Sequence, residues 1–137
     1  MRIYLTHCSK RKDDSLKHTG RKVTPCQLYT ARPTVRFMNK CKEMRVRWAI
    51  LSDHHGVWFP EVHHEWYGDD VGDPRKLTDE RFARLVADFD EKLCGYDEIV
   101  FYHNPGRFHS AYKRLLGRTA LRDRIRLISY RHLDQVK

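Results

Sequence analysis

An α/β domain built on a mostly parallel sheet is the fold this sequence predicts, and two observations predict it. Four short apolar runs stand apart along the chain: RIYLTH (2–7), RWAILS (47–52), EIVFYH (98–103) and RIRLISY (124–130). Most are continuously apolar at their centres, as strands covered on both faces are. Helical patterns alternate with them, and strand, helix, strand is the grammar of a parallel sheet with helices on both faces. The expectation is one three-layer, Rossmann-like domain over residues 1–137 with about four strands.

Each helix has its own signature. Over 33–44, Val35, Met38 and Cys41 recur at helical spacing, and Pro33 suits a first turn. Over 78–94, Thr78 can cap, and Asp79 and Glu80 suit the positive end of the helix. Phe82, Leu85, Val86, Phe89 and Leu93 then form one stripe. Leu77 and Phe82 are spaced as a hydrophobic staple, and Gly95 is placed to close the helix. Over 105–117, Phe108, Ala111, Tyr112, Leu115 and Leu116 make a third stripe, with Gly117 at its end.

Composition limits the function. The chain has 137 residues, 40% of them hydrophobic and 12% aromatic, which is a folded composition. It has no apolar run near the ~18 residues a membrane helix requires and no secretory pattern, so a cytoplasmic protein without a membrane partner is expected. Cys8, Cys26, Cys41 and Cys94 stand far apart and read as free thiols. Twenty-seven Lys and Arg against 18 Asp and Glu give a net charge of +9. Such an excess attracts phosphates, and RNA, DNA and nucleotides are the expected partners. The basic load is dense in residues 8–47, whereas Asp69, Asp70, Asp73, Asp79, Glu80, Asp88, Asp90 and Glu91 make the middle acidic.

In open α/β sheets, ligands bind beyond the carboxyl ends of the strands. Those ends here are THCSKRK, LSDHHG, YHNPGR and SYRHLD, all polar and chemically equipped. In NPGRFH, Asn104 can cap a helix, Pro105 fits its first position and Gly106 allows close approach. Arg107 can then fork onto a phosphate or carboxylate at the helix start. Cys8 sits beside Lys10 and Lys12, cations that would depress a thiol pKa and favour the nucleophilic thiolate. Its other reading is a small buried thiol. Asp53 with His54 or His55 can exchange protons, and Gly56 suits a positive φ or a close approach. A second pair, His63 and His64, raises zinc, but no H-E-x-x-H or C-x-x-C is present, and neither a metal nor a cofactor is expected. Trp58, Phe59, Trp66 and Tyr67 read either as a loop packed over the sheet edge or as a lid that stacks a flat ligand.

The series CSKRK, PCQLYTARPTVRFMNKC and WAILSDHHGVWFP, followed by Tyr-Gly-Asp, resembles a family of small uncharacterised α/β domains in bacteria, archaea and phages. The matching positions are Cys8, Ser9 and Lys12, then Pro25, Leu28, Tyr29 and Phe37, then Ile50, Leu51, Ser52, Gly56 and Pro60. The same pattern is similar, more distantly, to the catalytic domain of archaeosine synthase, which modifies a 7-deazaguanine base in transfer RNA. Asp53, His54 and His55 replace the Ala-Lys-Tyr usual in the family.

The resemblance implies an enzyme acting on a nucleobase, nucleoside or nucleotide, free or within nucleic acid, as a transferase or hydrolase that modifies the base. Cys8 would attack, activated by Lys10 or Lys12; Asp53 and His54 would handle protons; Ser9, Lys10, Tyr29, Ser52, Gly56, Asn104, Gly106 and Arg107 would bind substrate. The alternative reading is a non-catalytic nucleic-acid-binding module that uses the basic face.

Overall fold

The computed structural model describes residues 1–68, 77–106 and 108–137; Arg107, Asp69, Asp70 and Asp73 lie outside them. In chain order the strands are β1 (Arg2–His7), β2 (Lys22–Val23), β3 (Trp48–Ser52), β4 (Gly56–Trp58), β5 (His64–Glu65), β6 (Glu98–His103) and β7 (Ile125–Ser129). The α-helices are α1 (Pro25–Leu28), α2 (Arg32–Met44), α3 (Asp79–Leu93) and α4 (Ser110–Arg118).

β1 is central, pairing in parallel with β3 on one side and β6 on the other. β7 continues the parallel sheet beyond β6, and β4 folds back antiparallel beside β3. The order is β4-β3-β1-β6-β7, with β2 and β5 forming a separate two-stranded ladder. The fold is therefore α/β with a mostly parallel sheet, as expected, but its main sheet carries a fifth strand. β4 is three residues long and follows a tight reversal, too short for the period-two pattern to show.

Alternation along each strand divides the core between the two faces. Tyr4, Ile50, Val100 and Tyr102 pack with Phe37, Met38 and Cys41 of α2. Ile3, Leu5, Leu51, Ile99 and Phe101 pack with Phe82, Phe89 and Leu93 of α3 and with Tyr112 and Leu115 of α4. Burying each large apolar side chain is worth about 1.5–3 kcal/mol, so both layers are held strongly to the sheet.

The helix ends follow local chemistry. Pro33 lies in the first turn of α2, and the Thr78 hydroxyl accepts from Arg81 N at 3.1 Å to cap α3. Gly95 does not close α3 in the left-handed conformation, since Gly20 and Gly56 are the glycines with positive φ among the described residues. Nor does α4 begin at 105. The Asn104 side chain accepts from Gly106 N at 3.2 Å, a local turn that competes with a helix start. His109 caps instead, accepting from Ala111 N, and Gly117 lies inside the helix.

At the other edge, Gly56 has a φ of 71°, and an added Cβ would lie 2.1 Å from Asp88 Oδ2. That oxygen accepts from Val57 N at 2.8 Å, while Lys92 Nζ donates to Val57 O at 2.9 Å. Side chains of α3 thus stitch down the edge strand. No helix among the described residues is long and apolar enough to cross a membrane.

The parallel strands run second, first, third, fourth in chain order, and the winding direction switches between β1 and β6. Crevices of doubly wound sheets open at the carboxyl ends beside such a switch point.

Candidate active site at the strand tips

The four parallel strands bring their carboxyl ends to one edge, where Cys8 lies just past β1. Its N–H donates to Leu51 O at 2.9 Å, holding it against β3. The Cys8 thiol donates to Asp53 Oδ1 at 3.3 Å, and its sulfur lies 2.9 Å from the Tyr112 hydroxyl. Asp53 comes from the turn after β3, and Tyr112 from the first turn of α4, the helix that follows β6. Three strand-to-helix or strand-to-turn junctions therefore meet at one sulfur.

A hydroxyl network borders it. The Tyr29 and Tyr67 hydroxyls lie 2.5 Å apart, and Ser52 Oγ donates to Tyr67 at 3.2 Å. Ser52 Oγ in turn accepts from the main-chain N–H groups of His54 and His55. Tyr29 is delivered by α1 and by a bridge that pairs it with Lys12. The ammonium of Lys12 stands 4.4 Å from the Tyr67 ring centroid, a cation held over the aromatic face.

The cations do not depress the Cys8 thiol. Lys10 is exposed, and burial with the neighbouring Asp53 charge pushes Cys8 up to about 12, against the favouring hydroxyls of Tyr112 and Tyr67. Burial also raises Asp53, eased by its bond with Cys8 and by the charges of Lys12 and Arg81. Asp53 is 3% exposed, and its Oδ2 has no hydrogen-bond partner among the described residues. The resting pair is thus a protonated thiol pointed at a carboxyl group made a stronger base than usual. Beneath it, Leu77, Phe82, Leu85, Ala111 and Leu115 line a small cavity with Asp53 and Tyr112.

His7 closes β1 and shares Tyr112 with Cys8: its ring stacks on the Tyr112 ring at 5.5 Å, while the Cys8 sulfur meets the Tyr112 hydroxyl. The His7 ring lies among Phe101, Phe108, Tyr112 and Tyr130. Nδ1 is 3.1 Å from Cys8 O, and Nε2 accepts from Asn104 N at 3.5 Å. A neutral ring protonated at Nδ1 satisfies both contacts, and burial holds its pKa down.

Of the residues singled out in the sequence, Cys8, Asp53, Ser52, Tyr29 and Lys12 converge here. Others do not. Ser9 Oγ accepts from Thr34 Oγ1 at 3.3 Å, tying the loop to α2. His54 stacks on Tyr67 with ring centroids 5.1 Å apart, so its imidazole faces that ring and not the thiol. Gly56 serves the β3–β4 reversal, and Asn104 with Gly106 forms the turn after β6. Arg107 lies outside the described residues. Tyr112 was hidden in an apolar helical stripe, and only its hydroxyl distinguishes it from the core residues around it. Among the described residues, no cluster of His, Cys, Asp and Glu is arranged to hold a metal ion.

Comparison with protein-family models, with curated proteins and with solved structures returned no match.

Proposed function

We propose that the protein is an enzyme acting on a nucleobase-type substrate, as a free base, nucleoside or nucleotide or as a residue of a nucleic acid. The observation that carries this reading is the Cys8 sulfur set between the Asp53 carboxyl group at 3.3 Å and the Tyr112 hydroxyl at 2.9 Å, at the carboxyl edge of the sheet. A thiol aimed at a base is the arrangement of covalent catalysis. Cys8 would add to the carbon of an electrophilic C=N or C≡N bond as Asp53 takes its proton; the π pair would move to the nitrogen, which takes up that proton, and Tyr112 would donate to the sulfur as charge develops on it. A pKa of about 12 makes this deprotonation concerted with attack, since a standing thiolate would be rare. The substrate class rests on the resemblance carried by Cys8, Ser9, Lys12, Tyr29 and Ser52, on the net charge of +9, and on the position of Cys8 at the carboxyl edge beside the β1/β6 switch point, where doubly wound sheets bind nucleotides.

The test is thermal stabilisation by a panel of nucleobases, nucleosides, nucleotides and 7-deazapurines, in wild type and in Cys8→Ala. A ligand at ~100 times its dissociation constant adds about 2.7 kcal/mol, a shift of several degrees. A compound that stabilises both proteins and is chemically changed only by wild type supports the reading. A specific observation favours a second reading, a nucleic-acid-binding module: Lys10, Arg11, Arg32 and Arg36 are exposed, and no carboxylate pairs with them among the described residues. No stabilisation by any small compound, together with salt-sensitive binding to RNA or DNA, would select it.

A further inference from the structure

The sequence contributes a histidine cluster that the chemistry above leaves unused. His54 and His55, in the turn after β3, meet His64 of β5 under the segment that carries Tyr67. The His55 and His64 rings stack in parallel, 4° apart in plane with centroids at 4.0 Å. The His54 and His55 centroids are 4.5 Å apart, and Trp58 closes the group at 5.2 Å from His55 and 4.9 Å from His64. His54 Nδ1 and His55 Nε2 are buried with no hydrogen-bond partner among the described residues. Polar atoms buried without partners cost stability, and these two are left in place beside the site.

The cluster lies where it can govern access. Residues 59–68 run from Trp58 back to Tyr67. They are fastened by the β2–β5 ladder, by Trp58 Nε1 donating to Val62 O at 2.8 Å, and by Arg47 forked onto Glu61. Against the turn, their contacts are the His55–His64 stack, the His54–Tyr67 stack, the edge-on His55–Tyr67 pair, the Glu65 main-chain bond to His55 and the Ser52–Tyr67 hydrogen bond, while the Tyr29 hydroxyl holds Tyr67 from outside the turn. Tyr67 is 4% exposed, and its hydroxyl is close enough to the Cys8 thiol to favour the thiolate.

We infer that His54, His55 and His64 form a proton-operated latch: in its neutral, stacked form it holds the 59–68 segment and Tyr67 over the cysteine site, and protonation releases them. The inference regulates the site proposed above and rests on that reading for its purpose, although the latch itself is independent of any substrate.

The surrounding charges set the sign. Arg81 bears on His54; Lys92 bears on His55 and His64; Lys22 bears on His64. Of the carboxylates nearby, Asp88 pairs with Lys92 at 2.8 Å and Asp53 bonds the thiol. Lys12 lies over Tyr67, and only the Glu65 main chain favours a charged His55. Burial lowers all three histidines most; at His55 the neighbouring His64 and His54 come next and Lys92 last, bringing it to about 3, while Lys92, His54 and Lys22 lower His64 and Arg81 lowers His54. The latched form therefore holds fully above the ordinary histidine pKa of about 6.5 and weakens as pH falls below it.

The experiment is hydrogen–deuterium exchange of the full chain at several pH values between 7.5 and 5, corrected for the intrinsic chemical rate. Main-chain amides of 62–67 report the latch, and Leu5, Ile50 and Phe101 in the sheet report global unfolding. The open population of 62–67 should rise up to about tenfold per pH unit for each histidine that gains a proton on opening, while the sheet amides stay protected. His55→Phe, which keeps a ring but cannot titrate, should flatten the dependence, and His64→Gln should do the same should the first variant fold poorly. Exchange of 62–67 that is independent of pH, unaltered in both variants, or matched by the sheet amides would overturn the inference. Because no substrate is involved, the proposed enzymatic function can fail without the latch failing, and the reverse.

Discussion

Cys8 shows how far a residue's surroundings outweigh its sequence neighbours. Three cations follow it within four positions, yet they turn to solvent or to Tyr67, and the thiol is governed by burial and by Asp53. At pH 8 a thiol with a pKa of about 12 is about 10⁻⁴ ionised. Limited alkylation with iodoacetamide, read by peptide mass spectrometry, should therefore label exposed Cys94 well before Cys8. Asp53→Asn removes a charge that disfavours the thiolate, so it should speed Cys8 labelling. Slower labelling in that variant would contradict the electrostatic account. Tyr112→Phe removes a donor to the thiolate and should slow labelling. The polar strand tips made Cys8, Ser52 and Asp53 legible in the sequence. Tyr112 was not legible, because a phenol in an apolar helical stripe reads as core, and the direction of the thiol shift depends on burial that no local pattern records.

At the scale of elements, the strand and helix count was largely readable because buried parallel strands are continuous apolar runs and α2 and α3 carry clear stripes. The start of α4 was not, since two local motifs compete between 104 and 109 and the Asn104 turn forms ahead of the helix. β4 was missed for its brevity, and it depends on Gly56. Gly56→Ala should destabilise by at least about 1–3 kcal/mol, because a non-glycine residue at positive φ is strained and its Cβ would displace Asp88 from Val57. Chemical denaturation would show this as a lower midpoint. Thr78→Ala should cost about 1 kcal/mol through the lost cap of α3, with an unchanged denaturant slope. A loss near zero would mean that Asp79 and Glu80 alone hold the helix start.

For the whole molecule, pH dependence follows from groups held neutral in the folded state. His7, His54, His55 and His64 all have lowered pKa values, chiefly through burial. The unfolded chain then binds protons first as pH falls below about 6.5, and each additional proton costs about 1.4 kcal/mol of stability per pH unit. Asp53 opposes this weakly, since its raised pKa favours the folded state at acid pH. Urea midpoints should be flat from pH 8 to 7 and fall from pH 6.5 towards 4. A midpoint that rises on acidification would contradict the buried, neutral histidines. The gathering of four polar strand ends on one edge was foreseeable from parallel connectivity alone. The strand order was not, because nothing local says which strand lies at the centre.

That centre has a consequence for the order in which the protein takes shape. β1 is synthesised first, but its partner β6 lies 96 residues later, as the Thr6 hydroxyl bonded to Tyr102 O records. At roughly 5–20 residues per second, Ile3 and Leu5 wait several seconds on the ribosome with one side of their strand open. Such distant pairing is slow to form. Cys8 and Tyr112 cannot meet before α4 is made, so the surroundings of the Cys8 thiol are among the last parts of the protein to be assembled.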